Sequence, residues 1–340
     1  MACIDQDIRT QMLRSLSDFS PLVPVPHWVI EASLGDIPES KDIRLFILSL
    51  HDRDGGNGKR FSAHQLCLDA EREGRIYPGA TVIVPGSGNT GANIAYKRAA
   101  YGIESVIAII DQSTVPMSKV AQLIMAGAQI AYPRPGQTTL DAARELEAMG
   151  VGTFINQYAE KGARDGQIRT MNYIIQEMEI MGQPLSFFLA AAGSTAMLCA
   201  AGERLPDAFP NIQIVGSVYR EKNEPVPGAR TLAAIERDIS FDWRSAVGPL
   251  GLVPCDQRPS FAMSKTLLEA TTRLVGPTCG LNVLGGFHRF RYHAERGELE
   301  QYRNPHGLFT MVAISMDMLM GYLGQYMDIL NLEQKALFQW

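Results

Sequence analysis

The chain has 340 residues, 46% hydrophobic and 20% charged, with 31 Lys and Arg against 36 Asp and Glu and a formal charge of −5. That length allows two or three domains with sizeable cores, and the ordinary hydrophobicity excludes a disordered or collagen-like chain. A net negative charge offers no field for holding a nucleic-acid backbone.

The N-terminus, Met1 to Asp7, carries early acids and no apolar run of the signal-peptide kind. Strands are predicted over 44–50, 80–84, 105–110 and 129–132, and helices over 62–73, 89–101 and 119–126. A second series begins near Phe154, with strands over 186–191, 212–217 and 312–315. Short apolar runs separated by helical stretches imply right-handed crossovers and mostly parallel sheets. The expected architecture is two α/β domains, each a mostly parallel sheet flanked by helices. The first covers 1–155, with 1–40 free to cross to the other; the second covers 156–340. The Pro/Gly-rich stretch 224–230 and the aromatic, basic stretch 287–303 read as surface excursions, the latter with His288, Arg289, Arg291 and His293 in a solvated loop. The Met-rich stretch 311–327 reads as core or dimer interface.

The most apolar stretch, 186–202, is interrupted by Gly193, Ser194 and Thr195 and is shorter than the ~20 residues a bilayer span requires. The five cysteines (Cys3, Cys67, Cys199, Cys255, Cys279) form no C-x-x-C pair, which disfavours a zinc site or a disulfide framework, so no metal is expected. These features point to a soluble, cytoplasmic protein with reduced thiols.

The 31 glycines exceed the usual ~7%, and they gather at turns. Gly86-Ser87-Gly88-Asn89-Thr90-Gly91 follows a predicted strand, opens a helix and is trailed by Asp111. As a bare pattern this fits a dinucleotide fingerprint, and hence a nicotinamide-dependent oxidoreductase. A plain capped turn fits too. The polar side chains of Ser87, Asn89 and Thr90 beside free helix N–H groups suit a small carboxylate better. Lys59 follows another glycine-rich stretch, and Gly193-Ser194-Thr195-Ala196-Met197 again joins a strand to a helix. An amine nucleophile, a carboxylate cradle and a phosphate cradle are the set that pyridoxal 5′-phosphate chemistry needs.

At these residues the chain resembles the cysteine synthase/cystathionine β-synthase family of fold-type II pyridoxal-phosphate enzymes, tryptophan synthase β-like in architecture. Lys59-Arg60 through Pro78-Gly79 keeps the family spacing. Ser87-Gly88-Asn89-Thr90-Gly91 matches its S-G-N-T-G loop. Met117-Ser118-Lys119, Asn156-Gln157-Tyr158 and Gly276-Pro277-Thr278-Cys279-Gly280-Leu281-Asn282 follow in family order, and Ser20-Pro21-Leu22-Val23 stands where many members have T-P-L-V.

The resemblance implies roles. Lys59 is the Schiff-base lysine and general base, and Asn89 the partner of the cofactor's phenolic oxygen. Gly86, Ser87, Gly88, Thr90 and Gln157 would bind the substrate, its α-carboxylate above all. Gly193, Ser194, Thr195, Ala196 and Met197 would bind the phosphate. Thr278 would face the pyridine nitrogen, where a hydroxyl alone does not hold the ring protonated. Cys279 reads as packing.

Departures from the pattern include Gly86 for a family Thr, Gly58 for a commonly apolar residue, and Glu236 to Phe241 in place of a glycine-rich loop. The implied function is pyridoxal-phosphate-dependent β-replacement on a serine-type amino acid through an aminoacrylate, with a non-standard donor or nucleophile. A β-eliminating ammonia-lyase or dehydratase, and a cofactor-binding scaffold without turnover, stand as alternatives. The family also implies a homodimer, acting on a small amino acid and a second, nucleophilic substrate.

Overall fold

The computed structural model describes residues 19–52, 56–221 and 224–331, together with residues 4, 6, 7, 9 and 10. Cys3, Arg53, Asp54 and Gly55 lie outside the described residues. Two sheets carry the architecture. The four-stranded sheet is wholly parallel, in the order β5 (Gln129–Ala131), β4 (Ser105–Ile109), β3 (Thr81–Pro85), β6 (Thr153–Phe154). The six-stranded sheet runs β1 (Val23–Pro24), β2 (Ile43–Ser49), β10 (Phe309–Ser315), β7 (Phe187–Ala191), β8 (Gln213–Tyr219), β9 (Val253–Cys255), with only β1 antiparallel. Every residue of β10 is buried, as expected of a parallel strand covered on both faces, so it shows no alternation of apolar and polar residues.

Strand membership explains where the glycine turns fall. In the smaller sheet the chain steps from β3 to β4 to β5 and then returns to the other side of β3 with β6. In the larger one it steps from β7 to β8 to β9 and returns with β10. Crevices form outside the carboxyl ends of strands at such reversals. The turns after β3 and β7 lie at these two points. Because β1 and β2 join the larger sheet, the N-terminal crossing extends through Ser49. We propose a division near residue 155, with 23–49 contributing to the second unit.

The predicted elements are found with small shifts. Helix α1 covers His27–Leu34. Helix α2, Lys59–Arg72, begins at Lys59 rather than at residue 62. The stretch 89–101 divides into α3 (Asn89–Tyr96) and a 3-10 turn, Arg98–Tyr101. Helix α4 is Met117–Met125, α5 is Thr139–Ala148, with a capping box between Thr138 and Asp141, and α6 is Gly162–Met181.

Two stretches are not surface excursions. Residues 287–295 continue a 19-residue helix, Pro277–Glu295, whose Phe287, Phe290 and His293 are buried. The basic residues between them hid this apolar face. Arg289 is itself buried and donates to the carbonyls of Leu250 and Gly251. In 224–230, Val226 is fully buried and Gly228 lies against Gly193. In the Met-rich stretch, Met311 is core and Met320 is exposed.

Helix Pro277–Glu295 crosses helix Gln257–Thr271 at Gly280, where an added Cβ would fall within contact distance of the Ser260 carbonyl and 2.6 Å from Ser264 N. Backbone cannot yield as a side chain can. Gly280→Ala is therefore expected to cost about 1–3 kcal/mol or more of stability, measurable by urea unfolding; an unchanged midpoint would contradict this crossing.

Candidate active site

Lys59 opens α2 because the preceding turn is held in place. Gly58 N donates to Met316 O, and Lys59 N donates to Asn57 Oδ1 at 3.0 Å. A Cβ on Gly58 would lie 2.6 Å from Met316 Sδ and 2.7 Å from a Leu50 methyl, so no larger residue fits there. The Lys59 amine donates to Ser194 Oγ at 2.9 Å. Its pKa is lowered to about 8, chiefly by burial and then by the positive charge of Arg230; Asp317 opposes the shift.

The turn after β3 needs glycine twice. Gly86 has φ 142° and Gly88 φ 95°, values that side chains rarely adopt. A Cβ on Gly86 would meet Gln157 Nε2 at 2.6 Å and Tyr158 Oη at 2.7 Å, so these two side chains fill the room a family threonine would take. Thr90 Oγ1 donates to Gln157 Oε1 at 2.7 Å, and Gln157 Nε2 donates to Pro85 O at 2.9 Å. The structure thus brings Gly86, Thr90 and Gln157 together. Ser87 lies between the two glycines, exposed.

After β7, Gly193, Ser194 and Thr195 lead into α7, Ala196–Ala208. Thr195 holds a left-handed φ of 59°, and its buried Oγ1 has no oxygen or nitrogen partner, with the Cys199 thiol beside it. A helix start leaves its first N–H groups without intrahelical acceptors. A Cβ on Gly193 would lie 2.5 Å from Gly228 O, so the 224–230 loop sits directly on this turn. Lys59, Gly193, Ser194, Thr195, Met197, Gly228 and Thr278 line one cavity, with Ala196 buried at its edge.

Behind Thr278 lies a buried polar cluster. Asn89 Oδ1 accepts from Lys119 Nζ at 2.9 Å, and Asn89 Nδ2 donates to Asp317 Oδ2 at 3.2 Å. Thr278 Oγ1 donates to Asp317 Oδ1 at 3.3 Å. Residues 43–302 match the family described as pyridoxal-phosphate dependent enzyme. The chain belongs to that family. Its cofactor is pyridoxal 5′-phosphate.

A probable cysteine synthase of Bacillus subtilis (strain 168) is 29% identical to the enzyme over 236 residues, 66% of this chain and 74% of the relative. A cysteine synthase of Staphylococcus aureus (strain Mu50 / ATCC 700699) is 29% identical over 188 residues, 54% of this chain and 59% of that relative. The crystal structure of O-ureido-L-serine synthase superposes with a TM-score of 0.77, covering 96% of both chains at 19% identity. The cysteine synthase structure from Entamoeba histolytica gives 0.73 at 18% identity, covering 96% of this chain and 91% of that one. At such identities the structures speak for the fold.

The cavity of this family member fits the cofactor's chemistry. It offers a buried amine for an aldehyde, a buried hydroxyl and a helix start for a phosphate, and the Thr278 side chain backed by a polar cluster for the ring. The nicotinamide reading is replaced. Asp111 is exposed and spends its Oδ1 on Ser113, accepting from the backbone N–H at 2.9 Å and the hydroxyl at 2.7 Å. Cys279 is fully buried, and burial raises its thiol pKa to about 12, as befits packing.

Sequence reasoning missed Asp317, Tyr322 and Arg230, and gave Lys119 no role. One signal was present, a lone acid in the Met-rich apolar stretch. Arg230 stacks over the Tyr158 ring at 4.3 Å and pairs with Asp238 at 2.5 Å, so the altered 236–241 stretch supplies its counter-charge. Among the described residues no cluster of His, Cys, Asp and Glu suits a metal, and no helix is long and apolar enough to cross a membrane.

Two outcomes are expected. The folded pKa of Lys59 lies below its ordinary 10.5, so the unfolded chain binds the proton more tightly. Cofactor-free protein should therefore gain stability over Lys59→Met as pH rises from about 8 to about 10.5, with no gain below. Urea unfolding of both across that range checks it, and a constant difference would show the amine to be solvated. Gly86→Ala should destabilise by about 1–3 kcal/mol and weaken amino-acid binding while leaving the bound cofactor's absorbance intact; titration with the substrate amino acid separates the two effects.

Proposed function

We propose that the enzyme catalyses β-replacement on an O-activated serine or homologue, as cysteine synthases do, with a donor or nucleophile outside their usual pair. The observation that carries this is the Lys59 amine, 2.9 Å from Ser194 at the phosphate-type turn, its pKa near 8. When bound, the cofactor supplies an electron sink that labilises the substrate Cα–H and the β-substituent.

The chain's own residues do the rest. Lys59 holds the cofactor, and its amine, whose pKa is lowered to about 8, takes the Cα proton in its neutral form. Gly193, Ser194 and Thr195, with the first N–H groups of α7 at Ala196 and Met197, hold the phosphate. Ser87 and Thr90 hold the substrate carboxylate with Gln157, whose amide is already oriented by Pro85 O. Gly86 and Gly88 let the backbone approach that carboxylate. Asn89 faces the phenolic oxygen and Thr278 the ring nitrogen. The 224–230 loop, packed on Gly193 and Thr278, excludes water from this wall.

Arg230 supports the non-standard pairing. Its guanidinium lies at the carboxylate loop, close enough to Lys59 to lower that amine's pKa. A cation there favours an anionic or strongly polar β-substituent or nucleophile. A relative named a probable cysteine synthase and a structural neighbour named O-ureido-L-serine synthase support the same reading. A cytoplasmic homodimer is proposed with it.

The test is a screen of O-acetylserine, O-phosphoserine, serine and their homologues, with and without added nucleophiles, read by absorbance and by mass spectrometry of the product. At least one O-activated serine should change the spectrum and yield a substituted product. Lys59→Ala should abolish the lysine-bound cofactor band and lower turnover by more than ~10²-fold. A product formed only by elimination, whatever the nucleophile, would replace β-replacement with the lyase reading.

A further inference from the structure

Two buried asparagines that the proposed reaction does not use stand between Lys59 and Asn89. Asn57 lies just before α2, and Asn93 lies one turn into α3. Asn57 Oδ1 accepts from Lys59 N at 3.0 Å and from Asn93 Nδ2 at 2.8 Å. Asn93 Nδ2 also donates to the backbone carbonyl of Asn89 at 2.9 Å. Three hydrogen bonds in a row thus run from the first N–H of α2 to the first carbonyl of α3.

The directions of these bonds follow from the atoms alone. A backbone N–H only donates, so Asn57 turns its oxygen toward Lys59. The Asn89 carbonyl only accepts, so Asn93 turns its amide nitrogen toward it and toward Asn57 Oδ1. The two hydrogens of one amide are spent on two segments, and no ionisable side chain takes part. The same orientation leaves Asn93 Oδ1 buried, with no hydrogen-bond partner among the described residues. Asparagine is also a poor residue for a helix interior, because its side chain competes for backbone groups. Packing alone would favour an apolar residue of the same shape. The two donated bonds are what asparagine adds at this position.

We propose that Asn93 is a positioning residue that fixes the distance between Lys59 and Asn89, and with it the angle at which the bound cofactor's ring is held. This rests on the proposed roles of those two residues, Lys59 at the cofactor's aldehyde carbon and Asn89 at its phenolic oxygen. These two groups are neighbours on one ring, so the spacing of the residues that hold them sets the tilt of that ring. Other braces tie the lysine turn elsewhere. Gly58 N donates to Met316 O at the end of β10, and Gln167 Nε2, from α6, donates to Gly58 O at 3.1 Å. Asn93 ties the same turn to α3. Thr90, beside Asn89, belongs to the carboxylate loop, so the bridge also holds that loop in register with the lysine.

The experiment compares Asn93→Leu, which keeps the branched shape and has no N–H, with Asn93→Ala and with Ile94→Ala, a buried packing loss on the same helix. Each protein is loaded with pyridoxal 5′-phosphate without substrate. Absorbance and circular dichroism of the lysine-bound band are read per cofactor bound, since ellipticity in that band reports how the ring is held in its asymmetric site. Both Asn93 variants should keep the band and lose ellipticity in it. Ile94→Ala should lower the urea midpoint and keep the ellipticity. Wild-type ellipticity in Asn93→Leu or Asn93→Ala overturns the inference by leaving the residue a packing role. An equal loss in Ile94→Ala overturns it too, by making the effect a general loosening of α3. Should Asn93→Leu fail to fold, the contrast between Asn93→Ala and Ile94→Ala carries the test. A wild-type band that persists in Lys59→Ala overturns the site assignment and this inference with it.

Discussion

Lys59, Lys119 and Asp317 are buried ionisable groups held at the meeting of two parallel sheets, and taking such groups out of water is costly unless each finds a partner. The chain meets that cost with partners from distant segments. Asp317 reaches Asn89 across 228 residues, and Lys59 reaches Ser194 across 135. The N-terminal ends of α2, α3 and α7 have to converge for those bonds to form. The sheets, whose strands reverse order at β3 and β7, are what bring them there. The cavity is therefore the place where the two halves of the fold satisfy one another's polar groups.

Close backbone approach is the second condition. Gly58 packs against Leu50 and Met316, Gly86 against Gln157 and Tyr158, Gly193 against the Gly228 carbonyl, and Gly276 against Asp317. Each glycine is required by a neighbour from another segment. These four glycines show how tightly loops from different strands are pressed around one ligand-sized space. The same packing desolvates the Lys59 amine and keeps it reactive near neutral pH.

Local patterns were readable because they depend on neighbours in sequence. The apolar runs that became β2, β3, β4, β7 and β10 were found within a few residues, and the S-G-N-T-G loop announced its own helix. Failures came where the deciding contact was remote. The helix around Phe287 and Phe290 was disguised by Arg289, which donates to the carbonyls of Leu250 and Gly251, and by Arg291, which pairs with Asp36. Residues 224–230 looked like an exposed turn until Gly228 was found on Gly193. Asp317 stood as a lone acid in a methionine-rich stretch, and its partners Asn89 and Thr278 lie in other segments.

The sequence by itself determined the family, the cofactor class and the glycine turns that flank Lys59 and Asn89, because short motifs carry backbone conformations and side-chain chemistry that need no distant partner to be recognised. Only the tertiary structure decided that Gly86 leaves room for Gln157 and Tyr158, that Arg230 stands beside the amine, and that Asn93 ties Asn57 to Asn89. Those are directions of hydrogen bonds and distances between charges. They exist only once segments remote in sequence share a site from which water has been removed.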